Sequence, residues 1–333
     1  MILTRIAVML AMVVSLVGTT SQTGWAQQQQ PILVSIDMWV GFGPWVVGKE
    51  KGLFEKRGLK VEPIVITGTG EKNAAMAAKR VQARSEGLDS ILLASNQDVP
   101  GTVILVLDES NGGDGIVATR DIKRIADLKG KKVGFQTGLP GHFFLLYLLH
   151  GAGLTQADIS PQIMDSASAG SAFLSGKLDA AVTWEPWLSR AAGREGAHLL
   201  ASTRENAGVI VDVLAVQPEF LRNRPEDVRK LALGWFDSVQ YCESHPAEAN
   251  QIMAKFFRIP VSELEGTLRG VRLSNLKRNR ELFGTAQSPG QLYKVGAVAD
   301  QIWVDSGVLK GPSRPIPQTI DRSVIDGLPE STR

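Results

Sequence analysis

From Ile32 to about Val216, short runs rich in apolar and β-branched residues alternate with helical stretches, and this alternation constrains the fold more than any other feature of the chain. A helix between two strands carries the chain back to the edge it left, so successive strands run parallel and helices cover the sheet, which is α/β architecture. The strands expected are ILVSIDMWV (32–40), VEPIVI (61–66), TVILVLD (102–108), KVGFQT (132–137), LDAAVTW (178–184) and VIVDVLAV (209–216). Most are apolar throughout, as strands buried on both faces should be. Between them, Pro44 opens a helix that stops at Gly58, and 71–84 reads as an alanine-rich helix. After Pro218 the period changes. Val228, Leu231, Trp235, Val239 and Cys242 recur three or four apart in a helix that starts at Pro225 with an acidic first turn, and further helices are expected over 247–257, 261–271 and 290–308. The final stretch, with Pro312, Pro315, Pro317 and Pro329, reads as a surface-hugging or partly ordered tail.

The other end of the chain carries Arg5, an apolar run from Ile6 to Val17, and a polar stretch ending in Gly24, Trp25 and Ala26. That run is too short for the roughly 20 residues of a membrane-spanning helix, and its flanks suit a secretory signal peptide cleaved after Ala26. What remains is long enough for two lobes of ordinary domain size. Net charge is +2 with no basic run, so nucleic acid is not an expected partner. A single cysteine, Cys242, allows no internal disulfide and reads as a small buried hydrophobe. His142, His150, His198 and His245 are scattered without metal-ligand spacing, and neither a Gly-x-Ser-x-Gly elbow nor His-Glu-x-x-His occurs. No metal, cofactor or catalytic residue is expected from these patterns.

In an open α/β sheet, ligands bind beyond the carboxyl ends of the strands, so the residues just after each strand are the informative ones. The first strand is followed by Trp39, Phe42, Gly43 and Trp45, either aromatic walls with close backbone approach or a turn with two core aromatics. The second is followed by Thr67, Gly68 and Thr69 ahead of a helix, without the Gly-Lys-Ser/Thr of a phosphate-binding loop. Asp108, Ser110 and Asp114 crowd a glycine-containing loop that lacks the ligand spacing of a calcium site. Thr137, Gly138 and His142 form a turn into an apolar helix, where the helix dipole favours a neutral imidazole. Thr183, Trp184 and Glu185 close a strand, and Glu185 either bonds a ligand amine or caps the helix that begins at Pro186.

Four stretches, 39–62, 106–134, 137–154 and 175–191, together resemble the nitrate, sulfonate and taurine type of ABC importer binding proteins, and also the thiamine-precursor pyrimidine group. The resemblance implies the type II periplasmic binding protein fold: two lobes, each a mixed, mostly parallel sheet flanked by helices, joined by a two-crossing hinge. It implies one lobe from 27–116 plus 214–308, a second from 117–213, and a tail from 309–333. It further implies a monomer in the periplasm that holds a small-molecule solute between its lobes and hands it to an ABC permease and its ATPase, with Asp212 beside the second crossing as a further site residue. An enzyme on the same fold, or a ligand sensor for a membrane receptor, shares these features. The segment 77–95 is more charged than the family's usual approach to the third strand, which leaves the position of Asp89 open. The candidate loops hold Asp108, Asp114, Glu185 and Asp212 but neither arginine nor lysine, so the expected ligand carries a cationic nitrogen.

Overall fold

The computed structural model describes residues 30–310 and 314–330, and the expected signal segment lies outside them. The elements belong to one compact unit beginning at Pro31. The chain runs through β1 (Ile32–Ile36), α1 (Gly43–Glu50), β2 (Val61–Val65), α2 (Thr69–Ala77), β3 (Ala83–Gly87), α3 (Leu88–Asn96) and β4 (Thr102–Ser110). It then enters a second sheet with β5 (Asp114–Thr119), β6 (Lys132–Phe135), α4 (Pro140–Gly151), β7 (Ser160–Ile163), α5 (Ser166–Leu174), β8 (Ala180–Trp184), α6 (Trp187–Ala192) and β9 (Ala197–Ser202). It returns through β10 (Val211–Val216), α7 (Pro218–Asn223), α8 (Pro225–Ser244), α9 (Pro246–Phe257), α10 (Val261–Leu268), β11 (Val271–Leu273), α11 (Leu276–Phe283), α12 (Gln291–Asp305) and α13 (Ser323–Asp326).

The first sheet has the order β11-β4-β10-β3-β1-β2 and the second β7-β6-β8-β5-β9. Within them β1 pairs parallel with β2 and β3, and β6 parallel with β7 and β8. β10 and β5 run antiparallel to both of their neighbours. The two sheets therefore repeat one plan, in which the antiparallel strand is supplied by the chain directly after it crosses over: β5 after 111–113, β10 after 203–210. Ser110 and Thr203 tie the two crossings together, hydroxyl to hydroxyl at 2.8 Å, while the Gly112 amide also donates to Thr203 at 2.8 Å.

Helices cover both faces of the second sheet. On β5, Ile116 and Ala118 pack with Phe135, Leu145 and Leu149, whereas Val117 packs with Phe173, Ala181 and Leu188, the two-residue alternation of a doubly buried strand. The stripe on α8 lies buried as its period requires, and Trp235 meets Trp45 of α1 with ring centroids 4.8 Å apart.

Four sequence expectations are corrected, the first being the helix expected to run from Pro44 to Gly58, which ends at Glu50 and is followed by turns. The helix expected to reach residue 84 ends at Ala77, because Lys79 takes a left-handed φ of 55° and turns the chain; Ala83–Gly87 is instead the strand between β1 and β10. The helix expected to run to residue 271 stops at Leu268, and Val271–Leu273 pairs with β4. The supposed tail is part of the first sheet's core: Ile320, Val324, Ile325 and Leu328 are buried there, and Ile320 bridges to Val103 of β4. Burying four apolar side chains is a stabilising contribution that a surface-hugging tail would not make. Ile325→Ala should accordingly lower unfolding free energy by about 2–4 kcal/mol, and truncation after Lys310 by more, both read from urea denaturation.

Candidate functional site

The carboxyl ends of β1, β3, β6 and β8 and the amino ends of β5 and β10 face one another across a small cavity, since an antiparallel strand presents its start where its parallel neighbours end. Its empty volume is about 360 Å³. Trp39, Phe42 and Trp184 wall it with aromatic faces, Leu139, Pro140 and Ile210 add apolar surface, and Asp37, Glu86, Asp114 and Asp212 line it with carboxylates. Of these walls, Asp37, Glu86 and Asp212 belong to the first sheet, while Asp114 and Trp184 stand on the second.

The carboxylates divide into two sets. Asp37 and Glu86 have basic partners: Lys72, fully buried, bonds Asp37 and reaches Glu86 at 2.9 Å, and Arg84 Nε donates to Glu86 at 2.5 Å. Burial alone would raise Glu86, but Arg84 and Lys72 pull it below the usual range; burial also holds Asp37 above its usual value even against Lys72. Asp114 and Asp212 have no lysine, arginine or histidine salt-bridge partner among the described residues. Burial pushes Asp114 up to about 7 despite the Ser110 hydroxyl, with Glu185 repelling it further. Burial, followed by repulsion from Asp108 and Asp114, holds Asp212 well above the ordinary carboxylate range.

Behind this front stand Asp108 and Asp89. Asp108 lies directly opposite Asp212 in the β4–β10 ladder, is fully buried, and accepts a hydrogen bond from Trp39 Nε1 at 3.1 Å. Its other oxygen, Oδ2, is buried without a hydrogen-bond partner, beside the carboxylate of Asp212 across the ladder. Burial raises Asp108 and Asp89 alike to about 7. Gly41 is required here: a Cβ on it would stand 2.4 Å from both Asp108 Oδ2 and Trp39 Nε1. Across the cavity a Cβ on Gly87 would stand 2.4 Å from Pro140, so the two sheets' loops touch at this point.

The remaining expected residues take other places. Thr67 and Gly68 line a larger chamber outside the cavity, of about 1300 Å³ and open to solvent. Thr69 donates to the Thr137 carbonyl at 3.1 Å, joining the loops before α2 and α4, and Gly138 sits beside it with φ 73°. Ser110 is part of the tie between the crossings and Thr183 donates to the Ser166 carbonyl at 2.8 Å. Gly43 opens α1 against Met253, and Trp45 is fully buried between Phe54 and Trp235, so its ring belongs to the core rather than to the cavity wall. His142 is buried against Phe135 and Trp303; Nδ1 accepts from the Gly138 amide and Nε2 lies 2.7 Å from Gln156 Oε1, so the proton sits on Nε2 and burial keeps the ring neutral. Glu185 turns away from the cavity and accepts from the Ser189 amide and hydroxyl at 3.1 and 2.6 Å, the capping arrangement of the two alternatives. Sequence reasoning missed Asp37, Glu86 and the buried cations Lys72 and Arg84, and the expectation of a site without lysine or arginine is corrected by these two. Asp37 carried a signal, as an acidic residue closing an apolar strand.

The repeated sheet order with two crossings is the periplasmic binding protein fold. It superposes on the alkanesulfonate-binding protein of Xanthomonas axonopodis pv. citri with a TM-score of 0.72 at 19% identity, covering 88% of this chain and 98% of that one. A desulfurization enzyme has the fold too, with a TM-score of 0.63 at 14% identity over 90% of this chain and 98% of the enzyme. Among relatives in sequence, a binding protein of Brucella abortus is 25% identical over 84% of this chain and 86% of its own length. The taurine-binding periplasmic protein of Escherichia coli is 25% identical over 68% of this chain and 76% of its own. Residues 39–249 match the NMT1/THI5 like family model, and the chain belongs to that family.

Two outcomes follow from this geometry. Glu185→Ala should cost about 0.5–2 kcal/mol in denaturant unfolding, the size of a lost cap. Asp114 holds its proton more tightly folded than unfolded, so its contribution to stability is full below pH 4 and is lost as pH rises toward 7. Asp114→Asn, which cannot ionise, should therefore gain on the wild type by up to about 1.4 kcal/mol per pH unit between pH 4 and 7, measured by unfolding of both proteins across that range.

Proposed function

We propose that this protein is the exported solute-binding component of an ABC importer, and that its solute carries a compact cationic nitrogen such as an amine or amidine. The observation that carries the reading is the position of Asp114 and Asp212: two carboxylates on opposite sheets, lining one cavity, neither with a basic partner. A cation between them meets opposite charge on both sides only when the sheets are together, so its binding energy favours closure. Trp39, Phe42 and Trp184 offer faces whose quadrupoles add to the attraction. The two lobes would be the portions built on the first and second sheets, with 111–113 and 203–210 as the hinge, and a membrane permease with its ATPase would read the closed form. Export through the N-terminal signal segment and the family's binding proteins support a transport role.

The family's sulfonate-binding members suggest a competing ligand. Asp108, Asp114 and Asp212 could donate to an anion when protonated, and pH separates the cases. A cation requires the ionised carboxylates, so its Kd should fall as pH rises from 5.5 to 7.5, by as much as about tenfold per unit for each proton released. An anion held by protonated acids should show the opposite slope. An enzyme reading finds little purchase in the cavity: Cys242 is buried on α8 with its thiol pushed up to about 12, and both nitrogens of His142 are engaged.

The test is a thermal-shift screen of the chain from residue 27 onward against small amines, amidines, pyrimidines, sulfonates and nitrate, since a ligand bound only by the folded state raises its melting temperature. Amines or amidines should raise it, and Asp114→Asn or Asp212→Asn should abolish that rise. A rise with sulfonate or nitrate alone would replace the cation by an anion.

A further inference from the structure

The inner cavity is too small for more than a compact head group. Asp37 and Trp184 line both it and the larger outer chamber, so the two spaces adjoin at these residues. The outer chamber changes character. On the first-sheet side Val40, Phe257 and Ile259 line it, and on the second-sheet side Pro186 and Trp187 continue the aromatic wall begun by Trp184. Arg190 and Arg258 also line it, with Glu71 and Asp165 at its polar side; Arg190 is already committed, bonding Glu263 of α10 at 2.7 Å and lying 4.9 Å above the Trp187 ring. That ion pair also joins α6 to α10, across the two sides of the chamber.

We infer that the solute is a two-part molecule, an organic cation whose charged nitrogen sits in the inner cavity and whose uncharged alkyl or aryl body runs past Trp184 into the outer chamber. The inference rests on the cationic reading of the inner site and extends it. Unpartnered charge is provided for inside, where Asp114 and Asp212 lack basic partners, and aromatic and aliphatic contact outside, where Trp187, Val40, Phe257 and Ile259 line the chamber. A bare ammonium or guanidinium would use only the first half. An alkyl or aryl substituent would displace water from the second, which is favourable at about fourfold in affinity per methylene buried.

The experiment is isothermal titration calorimetry of the chain from residue 27 onward with unbranched alkylammonium ions from methyl to hexyl and with phenylethylammonium, repeated for Trp187→Ala and Phe257→Ala. Affinity should climb with chain length, by up to about fourfold per carbon once the nitrogen is seated, and the aryl probe should bind more tightly than methylammonium. Each variant should flatten the climb. The gradient is compared within each protein, so a general loss of stability cannot imitate that result. If methylammonium binds and longer members bind no better, the outer chamber is not a subsite and this inference fails while the cationic site stands. If the climb survives both substitutions undiminished, the body lies elsewhere and the inference fails. If no alkylammonium binds wild type and Asp114→Asn changes nothing, the cationic reading falls and takes this extension with it.

Discussion

Five carboxylates, Glu86, Asp89, Asp108, Asp114 and Asp212, are buried near the cavity with half-buried Asp37 beside them, and among the described residues Lys72 and Arg84 are the lysine and arginine buried with them. Taking uncompensated charge out of water is costly, so such a cluster persists only if protons or a bound cation balance it. Much of the local structure follows from that imbalance. Lys72 and Arg84 settle Glu86, Lys72 also bonds Asp37, Trp39 donates to Asp108, and Asp212 stands opposite Asp108 in the ladder without a basic partner. The front pair, Asp114 and Asp212, is the part of the cluster that lines the cavity without a basic partner.

The topology explains why the imbalance sits there. Each sheet takes its antiparallel strand from the chain just after a crossing, so Asp114 begins β5 and Asp212 lies near the start of β10, both beside the crossings. On the proposed function, a ligand held by both would couple to closure; Arg190 with Glu263 and Thr69 with the Thr137 carbonyl are contacts that opening would have to break.

Much of this was legible in the sequence where hydrophobicity and burial agree. The apolar runs expected at 32–40, 102–108 and 209–216 contain the strands 32–36, 102–110 and 211–216 to within a few residues, the stripe on α8 announced itself, and the rule that ligand-facing residues follow the strands named Trp39, Phe42, Asp114 and Trp184, which line one cavity with Asp212, a residue added by the family resemblance. It failed where charge is buried. Ala83–Gly87 reads ARSEG, polar enough to pass for the end of a helix, yet every residue is buried because Arg84 and Glu86 satisfy each other and Lys72 completes the set. No periodicity announces such a pairing. Trp45 failed for the opposite reason: an aromatic after a strand suits a core as well as a pocket, and Phe54 and Trp235 decide the matter only in three dimensions. Glu185 likewise satisfied two readings until Ser189 was seen beneath it.

The central claim is that a positively charged solute takes the place of protons held by the buried carboxylates. Proton exchange on binding tests it most directly: titrate the best ligand calorimetrically near pH 6.5 in two buffers of different ionisation enthalpy, and obtain the number of protons transferred from the difference in heat. The account predicts net release, approaching one proton or more per ligand bound. Uptake of protons, or none, would contradict it.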